Sequence, residues 1–555
     1  MMRGLMMDAP LLVADTLAHA GRNHANTEIV SREIDGHIFR YTYADAHVRA
    51  RKLAQALIRL GVQPGDRVAT LAWNTHRHFE MFFGVSGIGA VLHTINPRLF
   101  REQLVYIANH CEDSWLFCDP DTLALAEDLA PDLKTVKGYC LMADRGEMPA
   151  DSSLPGLLCF ENLIAAEDGD FAWPAFDEQA ASSICYTSGT TGNPKGVVYS
   201  HRATMLSSIT LAMADSLPGG ANGQLESVLL LSPMFHGNGW NMPYIAPILG
   251  ARLVLPGRSY EPADLAQLLV AETVSVVVGV PTFWLMLLPY LEEAGTELPH
   301  LRLALSSGSH PPRWMVEKLR RHFGVDFVNT WGMTEAIGAS RGTLKPGDAE
   351  LDEDAILDRM MMAGRGTFGT RLRIVDDDGR PLPHDGKTLG HLQAKGGWIA
   401  AGYFKDEGGP LLTHDGWMPT GDIAVIDAEG RIGLRDRSKD VIKSGGEWIS
   451  STEIEGIVLA HPAVAQAAVI AVPHPKWQER PLLICQLAPG AAAGKDDILG
   501  FLEGKVAPWW LPDDVVFIDK MPMTATGKVQ KYRLRERVHD YRLPEKPGRT
   551  KPADA

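Results

Sequence analysis

The sequence predicts an α/β protein: a large N-terminal domain with largely parallel sheets, then a small α+β C-terminal domain. Three observations carry this reading. Short β-branched segments alternate with segments of helical periodicity from residue 43 onward. Several of those strands run into glycine-rich loops. Near Asp422 and Arg437 the texture changes, and a charge-rich stretch precedes a C-terminal segment of different pattern.

Each element follows from local signals. Thr42 stands as N-cap before a helix carrying Val48, Leu53, Leu57 and Ile58, which Gly61 closes. A strand at 67–73, a helix near 77–88, a strand at 91–95, a helix at 100–109 and a strand at 115–117 then alternate in βα fashion. Residues 229–239 give a strand entering a loop that contains Met234, Phe235, His236, Gly239 and Trp240. Residues 301–306 give another, entering Ser307, Gly308, Ser309, His310 and Pro311. A third loop is read at 329–335. Ligands in open α/β sheets sit beyond the carboxyl ends of strands, so these loops are expected to share one pocket.

Residues 273–291 carry no charge and are long enough to span a bilayer, but Pro281 and Pro289 interrupt them. They read instead as a buried strand at 274–280 and a helix beginning at Pro281. Thr420, Gly421 and Asp422 read as a turn. Residues 434–449 form a domain junction, and the remainder gives helix, strand, strand, helix, strand, with a lysine-bearing loop at 523–528. The expected division is 1–436, 437–540 and a loose tail at 541–555.

Composition restricts function. With 555 residues, 45% of them hydrophobic, the chain exceeds one core. A formal net charge of −15 disfavours nucleic acid or an anionic membrane surface as a standing partner. Any polyanion must be held by local donors. The cysteines at 111, 118, 140, 159, 185 and 485 contain no C-x-x-C pair, which predicts neither a disulfide framework nor a structural zinc site and suits a reduced cytoplasm. Residues 1–12, with Arg3 and Asp8, do not read as a signal peptide.

The richest stretch chemically is 184–196. Gly189 and Gly192 let the backbone turn and present N–H groups; Thr187, Ser188, Thr190 and Thr191 add hydroxyls, and Lys195 adds a charge. Such donors suit a triphosphate. The spacing is not G-x-x-x-x-G-K-[ST], so a kinase-like P-loop is excluded. Glu335 is a candidate Mg²⁺ ligand, because a hard cation takes oxygen donors. Gly338, Ser340 and Gly342 fit G-x-S-x-G, but the strand before and helix after that a hydrolase elbow needs are missing.

The run 186–196 resembles the phosphate-binding signature of the adenylate-forming, or AMP-binding, superfamily, which includes acyl-CoA synthetases, luciferases and adenylation domains. The likeness extends from about Ala20 to Arg535 and is nearest to medium- and long-chain fatty acyl-CoA synthetases and the 3-(methylthio)propionate ligase group. Asn74, residues 93–99, Met234 to His236 with Trp240, residues 331–335 and residues 443–450 carry it.

The resemblance implies that Thr187 and Glu335 bind Mg²⁺ and that 187–195 enclose the phosphates. Gly308, Ser309, Asn329, Thr330 and Thr334, with Trp331 and Gly332 between, would line the adenine and α-phosphate site. Asp422 and Arg437 would hold the ribose. Lys439 falls at the hinge. Lys443, Gly445, Gly446, Glu447 and Trp448 would face the active site after the small domain turns, and Lys528 before. His236 would stand between nucleotide and acyl pocket, with Trp240, Gly239 and Gly308 toward the acid. Lys528, Glu335, His236 and Lys443 are thus the candidate catalytic residues. Two departures from relatives bear on acyl specificity: Trp331 where many have Tyr, and Ser307 to His310 in place of a commoner Gly-Gly-Ala. The implied reaction makes acyl-AMP and then acyl-CoA from a fatty acid, with ATP, Mg²⁺ and coenzyme A, in a cytoplasmic, homodimeric protein without stable membrane insertion. The alternative substrate is 3-(methylthio)propionate; chain length is left open.

Overall fold

The computed structural model describes residues 2, 4–187, 193–213, 226–445, 447–523 and 529–544. Two large sheets carry the N-terminal domain. One has seven strands in the order Leu158–Cys159, Gly138–Leu141, Asp113–Cys118, Arg67–Leu71, Val91–Ile95, Ala181–Tyr186 and Gly196–Ser200; all but the last pairing are parallel. The other has nine strands, with a parallel centre running from Asp326–Met333 through Leu303–Ser306, Val276–Gly279, Ser227–Leu230 and Arg252–Leu255 to Glu28–Arg32. A four-stranded antiparallel meander, Thr370–Val375 to Ile432–Arg437, follows.

The helix Tyr43–Arg59 begins as expected: Thr42 and Asp45 form a reciprocal capping box. Its buried face differs from the expected one. Ala46, Ala50, Leu53, Ala54 and Leu57 pack inward, whereas Val48 and Ile58 are 37% and 47% exposed. Small alanines let the helix lie close against its neighbours, and an apolar count does not reveal that. Residues 273–291 resolve into the strand Val276–Gly279 and the helix Pro281–Glu293, with Pro281 in its first turn. No helix among the described residues is long and apolar enough to cross a membrane.

Two expected loops are strands. Residues 329–333 end the strand Asp326–Met333, which turns at Thr334 and Glu335 into Ala336–Arg341. Gly332 serves this hairpin because a Cβ there would lie 2.9 Å from the Ala336 carbonyl oxygen and the Gly338 nitrogen. Thr420 to Asp422 likewise lie within the strand Met418–Ile426, where Gly421 takes φ +74°. Ser340 is buried in a strand, donates to the Ala363 carbonyl at 2.6 Å and accepts from the Trp331 N–H, so it belongs to the sheet and forms no nucleophile elbow.

The C-terminal unit follows the expected order with additions. The hairpin Ile442–Ser444 and Glu447–Ile449 precedes the helix Ser451–Val458, the strands Val464–His474 and Gln478–Leu487, the helix Lys495–Leu502 and the strand Asp514–Phe517. A last helix, Lys531–Arg537, closes it. All six cysteines are buried free thiols, and burial pushes the Cys140 and Cys118 thiols far up.

Candidate active site

The strand Ser227–Leu230 leads into an unusual turn. Gly237, Asn238, Gly239, Trp240 and Asn241 take φ of +47°, +40°, +62°, +55° and +60°. Three of the five are not glycine, and a left-handed run of this length costs strain that surrounding bonds must offset. Buried Asn74 supplies several of those bonds: its amide donates to the Leu230 and Ser232 carbonyls at 2.9 and 3.0 Å and accepts from the Met234 N–H at 2.7 Å. Thr94 donates to Asn238 at 2.9 Å, Asn238 donates to Ser183, and Asn241 donates to Ser207 at 2.7 Å. Four separate elements therefore fix the loop bearing His236 and Trp240.

The stretch 184–196 begins and ends in a hairpin whose last pair is Tyr186 with Gly196. Thr187 and Lys195 close it: the Thr187 N–H donates to the Lys195 carbonyl at 2.9 Å, and the Lys195 N–H to the Thr187 hydroxyl at 3.2 Å. Ser188, Gly189, Thr190, Thr191 and Gly192 lie outside the described residues. The same hairpin reaches the Glu335 turn, because the Tyr199 hydroxyl donates to the Thr334 carbonyl at 2.5 Å. Glu335 is 6% exposed. The Tyr403 hydroxyl donates to its Oε1 at 2.7 Å, and Lys195 Nζ lies 4.8 Å from the centre of the Tyr403 ring. Burial and the Glu335 carboxylate push the Tyr403 phenol up, so it stays a donor. Thr187, Lys195 and Glu335 are thus tied together through tyrosines. Sequence reasoning missed Tyr199 and Tyr403. A lone tyrosine after glycine, as at Gly402-Tyr403, gives little signal in a single sequence.

Asp422 is held from two sides. Arg437 Nε lies 3.0 Å from Oδ1, and the Trp331 indole N–H donates to Oδ2 at 2.8 Å. Trp331 is buried, so it acts here by orienting Asp422. Thr330 donates to the Ser306 carbonyl at 3.2 Å and Asn329 to the Met361 carbonyl at 2.9 Å, which pins this strand end beside Ser307, Gly308 and Ser309. Gly308 takes φ +92°. Burial lowers His310 to about 4, with Arg435 adding to the effect, so its imidazole is neutral.

A cleft of about 1390 Å³ opens between the two domains. His236, Trp73, Arg98 and Tyr260 line it from one side, His461 and Met523 from the other. Met523 pairs with Val529. Lys528 itself, Gly446 and the Glu447 side chain lie outside the described residues. Lys443 and Trp448 are not on this cleft: the Trp448 ring packs against His391 at 5.6 Å, Lys443 sits over Trp448, and the Lys443 charge helps lower the Asp377 carboxyl after its bond from His391. Gly445 takes φ +59°, and a Cβ there would meet the Trp477 ring at 2.8 Å. Lys439 is exposed; partial desolvation is the main cause that lowers its pKa, and its carbonyl accepts from Arg535 at 3.1 Å.

Residues 17–404 match the AMP-binding enzyme family, and 453–528 match the AMP-binding enzyme C-terminal domain. The chain is 46% identical over 542 residues to a 3-methylmercaptopropionyl-CoA ligase of Ruegeria lacuscaerulensis, spanning 97% of this chain and 99% of that one. It is 43% identical over 544 residues to a medium-chain-fatty-acid–CoA ligase of Ectopseudomonas oleovorans, spanning 98% of each. Among solved structures, the anthranilate CoA ligase AuaEII in complex with anthranoyl-AMP has a TM-score of 0.82 at 25% identity, spanning 96% of this chain and 98% of that one.

Proposed function

The chain belongs to the AMP-binding enzyme family and is an AMP-forming acid–thiol ligase, and we propose that its acid is a medium- to long-chain fatty acid. ATP, Mg²⁺ and coenzyme A are its cofactors. The observation that carries the residue assignment is the convergence of Thr187, Lys195 and Glu335 through Tyr199 and Tyr403.

A carboxylate is a poor electrophile, so it first attacks the α-phosphorus of ATP, giving acyl-AMP and pyrophosphate; the CoA thiol then displaces AMP. No protein nucleophile is needed. The protein contributes positioning and charge neutralisation. Thr187 and Glu335 offer only oxygen donors, which fit Mg²⁺, and when bound the ion neutralises phosphate charge. Lys195 and the 188–192 backbone meet the phosphates. Asp422 accepts from the ribose hydroxyls, with Arg437 and Trp331 fixing its orientation. His236 stands on the cleft wall between nucleotide and acid, and Gly239 and Trp240 shape the acyl side.

Met523 on the cleft and Trp448 away from it suit the first half-reaction, with Lys528 at the chemistry. Lys439 is then the pivot that exchanges Lys528 for Lys443, Gly445, Gly446, Glu447 and Trp448. The division at 1–436 and 437–540, with 541–555 a tail, belongs to this reading. So do cytoplasmic location and a homodimer, which sedimentation and fractionation test. The test of substrate is pyrophosphate release across acids from propionate and 3-(methylthio)propionate to palmitate. Highest kcat/KM at medium or long chains supports the proposal. A maximum at 3-(methylthio)propionate instead supports the second reading, which the Ruegeria relative favours.

A further inference from the structure

We propose that Tyr403 determines how Glu335 meets the metal: it holds Oε1, so that the carboxylate is offered through Oε2, and its ring seats the lysine of the phosphate loop. This rests on the ligase reading and assigns a positioning residue to it.

The geometry is specific. Tyr403 reaches Glu335 Oε1 at 2.7 Å, while the Ala400 N–H, three residues earlier, donates to the Glu335 carbonyl at 2.8 Å. The segment therefore grips both the backbone and the side chain of one buried residue. Two residues before Ala400, the Trp398 indole donates to the Ile337 carbonyl at 3.0 Å, fixing the far side of the same hairpin. The segment is itself anchored on the first large sheet's flank, where Lys405 donates to the His110 carbonyl at 2.8 Å and pairs with Glu112 at 2.7 Å, and Tyr106 donates to Glu407. Tyr403 is thus held independently of the carboxylate it touches.

The ring does a second job. Lys195 Nζ lies 4.8 Å over it, and a Cβ on Gly408, which takes φ +83°, would come within 2.2 Å of Nζ. The lysine lies in a slot between ring and glycine, so one segment orients both the acidic and the basic group expected to face the phosphates. A carboxylate with one oxygen occupied by a fixed hydroxyl presents a narrower, monodentate donor, and hydrogen-bonding partners of metal ligands typically govern metal affinity by 10–100-fold. A hydroxyl that merely satisfied a buried carboxylate would affect stability and every ligand alike.

The test uses the full chain with Mn²⁺ as a paramagnetic probe in the presence of ATP. Tyr403→Phe keeps the ring and removes the hydroxyl; it should weaken Mn²⁺ binding about tenfold while leaving metal-free ATP binding near the parent value. In a Glu335→Gln background the same change should cost nothing further in Mn²⁺ affinity, because the carboxylate ligand that Tyr403 orients is already gone. Tyr403→Leu removes the ring too and should also weaken metal-free ATP binding. Unchanged Mn²⁺ affinity in Tyr403→Phe, or an equal loss in the Glu335→Gln background, overturns the proposal. If Tyr403→Phe is unstable, Tyr403→His carries the comparison: recovery of Mn²⁺ affinity above Tyr403→Leu supports it, and equality overturns it. A parent that releases no pyrophosphate with any acid would sink the ligase reading, yet the Mn²⁺ comparison would still decide the role of Tyr403.

Discussion

Trp240 occupies a backbone conformation that a bulky residue avoids, at φ +55° within five consecutive left-handed residues. Strain of about 1–3 kcal/mol per non-glycine residue persists only where neighbours over-determine it, as Asn74, Thr94 and Ser207 do here. Trp240 packs partly buried against the domain core, so its assignment to the acyl entrance rests on its place in the loop after His236. Trp240→Ala should therefore change the preference among acids of different length; an unchanged preference with a lowered Tm would return Trp240 to the core. Asn74→Ala should destabilise by about 1–3 kcal/mol, because it leaves the Met234 N–H and two carbonyls without their partner in a buried loop, and denaturant unfolding measures it. The sequence shows Asn74 and Trp240 as residues but not their connection, since 160 positions separate Asn74 from Met234. Glu335 was legible as a candidate oxygen ligand, whereas Tyr403 depends on a segment crossing from a different sheet and leaves no local pattern.

At the scale of elements, periodicity served well where both faces of a strand are buried. Val276–Gly279 stands out as an apolar run because a parallel sheet covered by helices admits little else. The hairpin at Asp326–Met333 was read as a loop because glycine and threonine ordinarily mark turns; here Gly332 marks close backbone approach. Charge pairing between elements was not legible at all. Glu455 on the helix Ser451–Val458 meets Lys531 on the last helix at 2.7 Å, and its Oε1 also accepts from the Val469 N–H at 2.6 Å. Burial pushes Glu455 from 4.5 up to about 7, against the lowering effect of Lys531. The folded protein then holds a proton that the unfolded chain has lost between those values, so this group's stability contribution falls as pH rises through that window. Tm of the parent minus Tm of Glu455→Gln should accordingly decrease from pH 5 to pH 7. A difference that is flat or rises with pH would mean that Glu455 is ionised throughout.

For the whole molecule, the order of motifs made two domains legible, but not how their surfaces meet. That depends on side chains distant in sequence, such as Trp448, whose ring packs against His391 of the meander at 5.6 Å. Arg535 of the last helix bonds the Lys439 carbonyl and Asp440 at the junction, and the proposed pivot at Lys439 is testable there. Lys439→Pro fixes φ there and should slow thioester formation more than acyl-AMP formation. Equal losses in both half-reactions would remove the pivot. Lys528 gives the converse test. Met523, five residues before Lys528, lines the cleft with His236, while Lys443 and Trp448 rest against Asp377 and His391; on the proposed reading Lys528 serves the adenylation step. An ammonium there offsets the crowding of two anions as carboxylate and α-phosphate meet, and losing a preorganised donor of this kind costs about 2.7–4 kcal/mol. Thioester formation has no such encounter, because its nucleophile is a thiol and its leaving group AMP. Lys528→Ala should therefore make acyl-AMP at least about a hundredfold more slowly, yet convert supplied acyl-AMP and CoA at near the parent rate. Comparable loss in both half-reactions, with an unchanged circular dichroism spectrum, would show that Lys528 supports the fold or that the small domain does not turn.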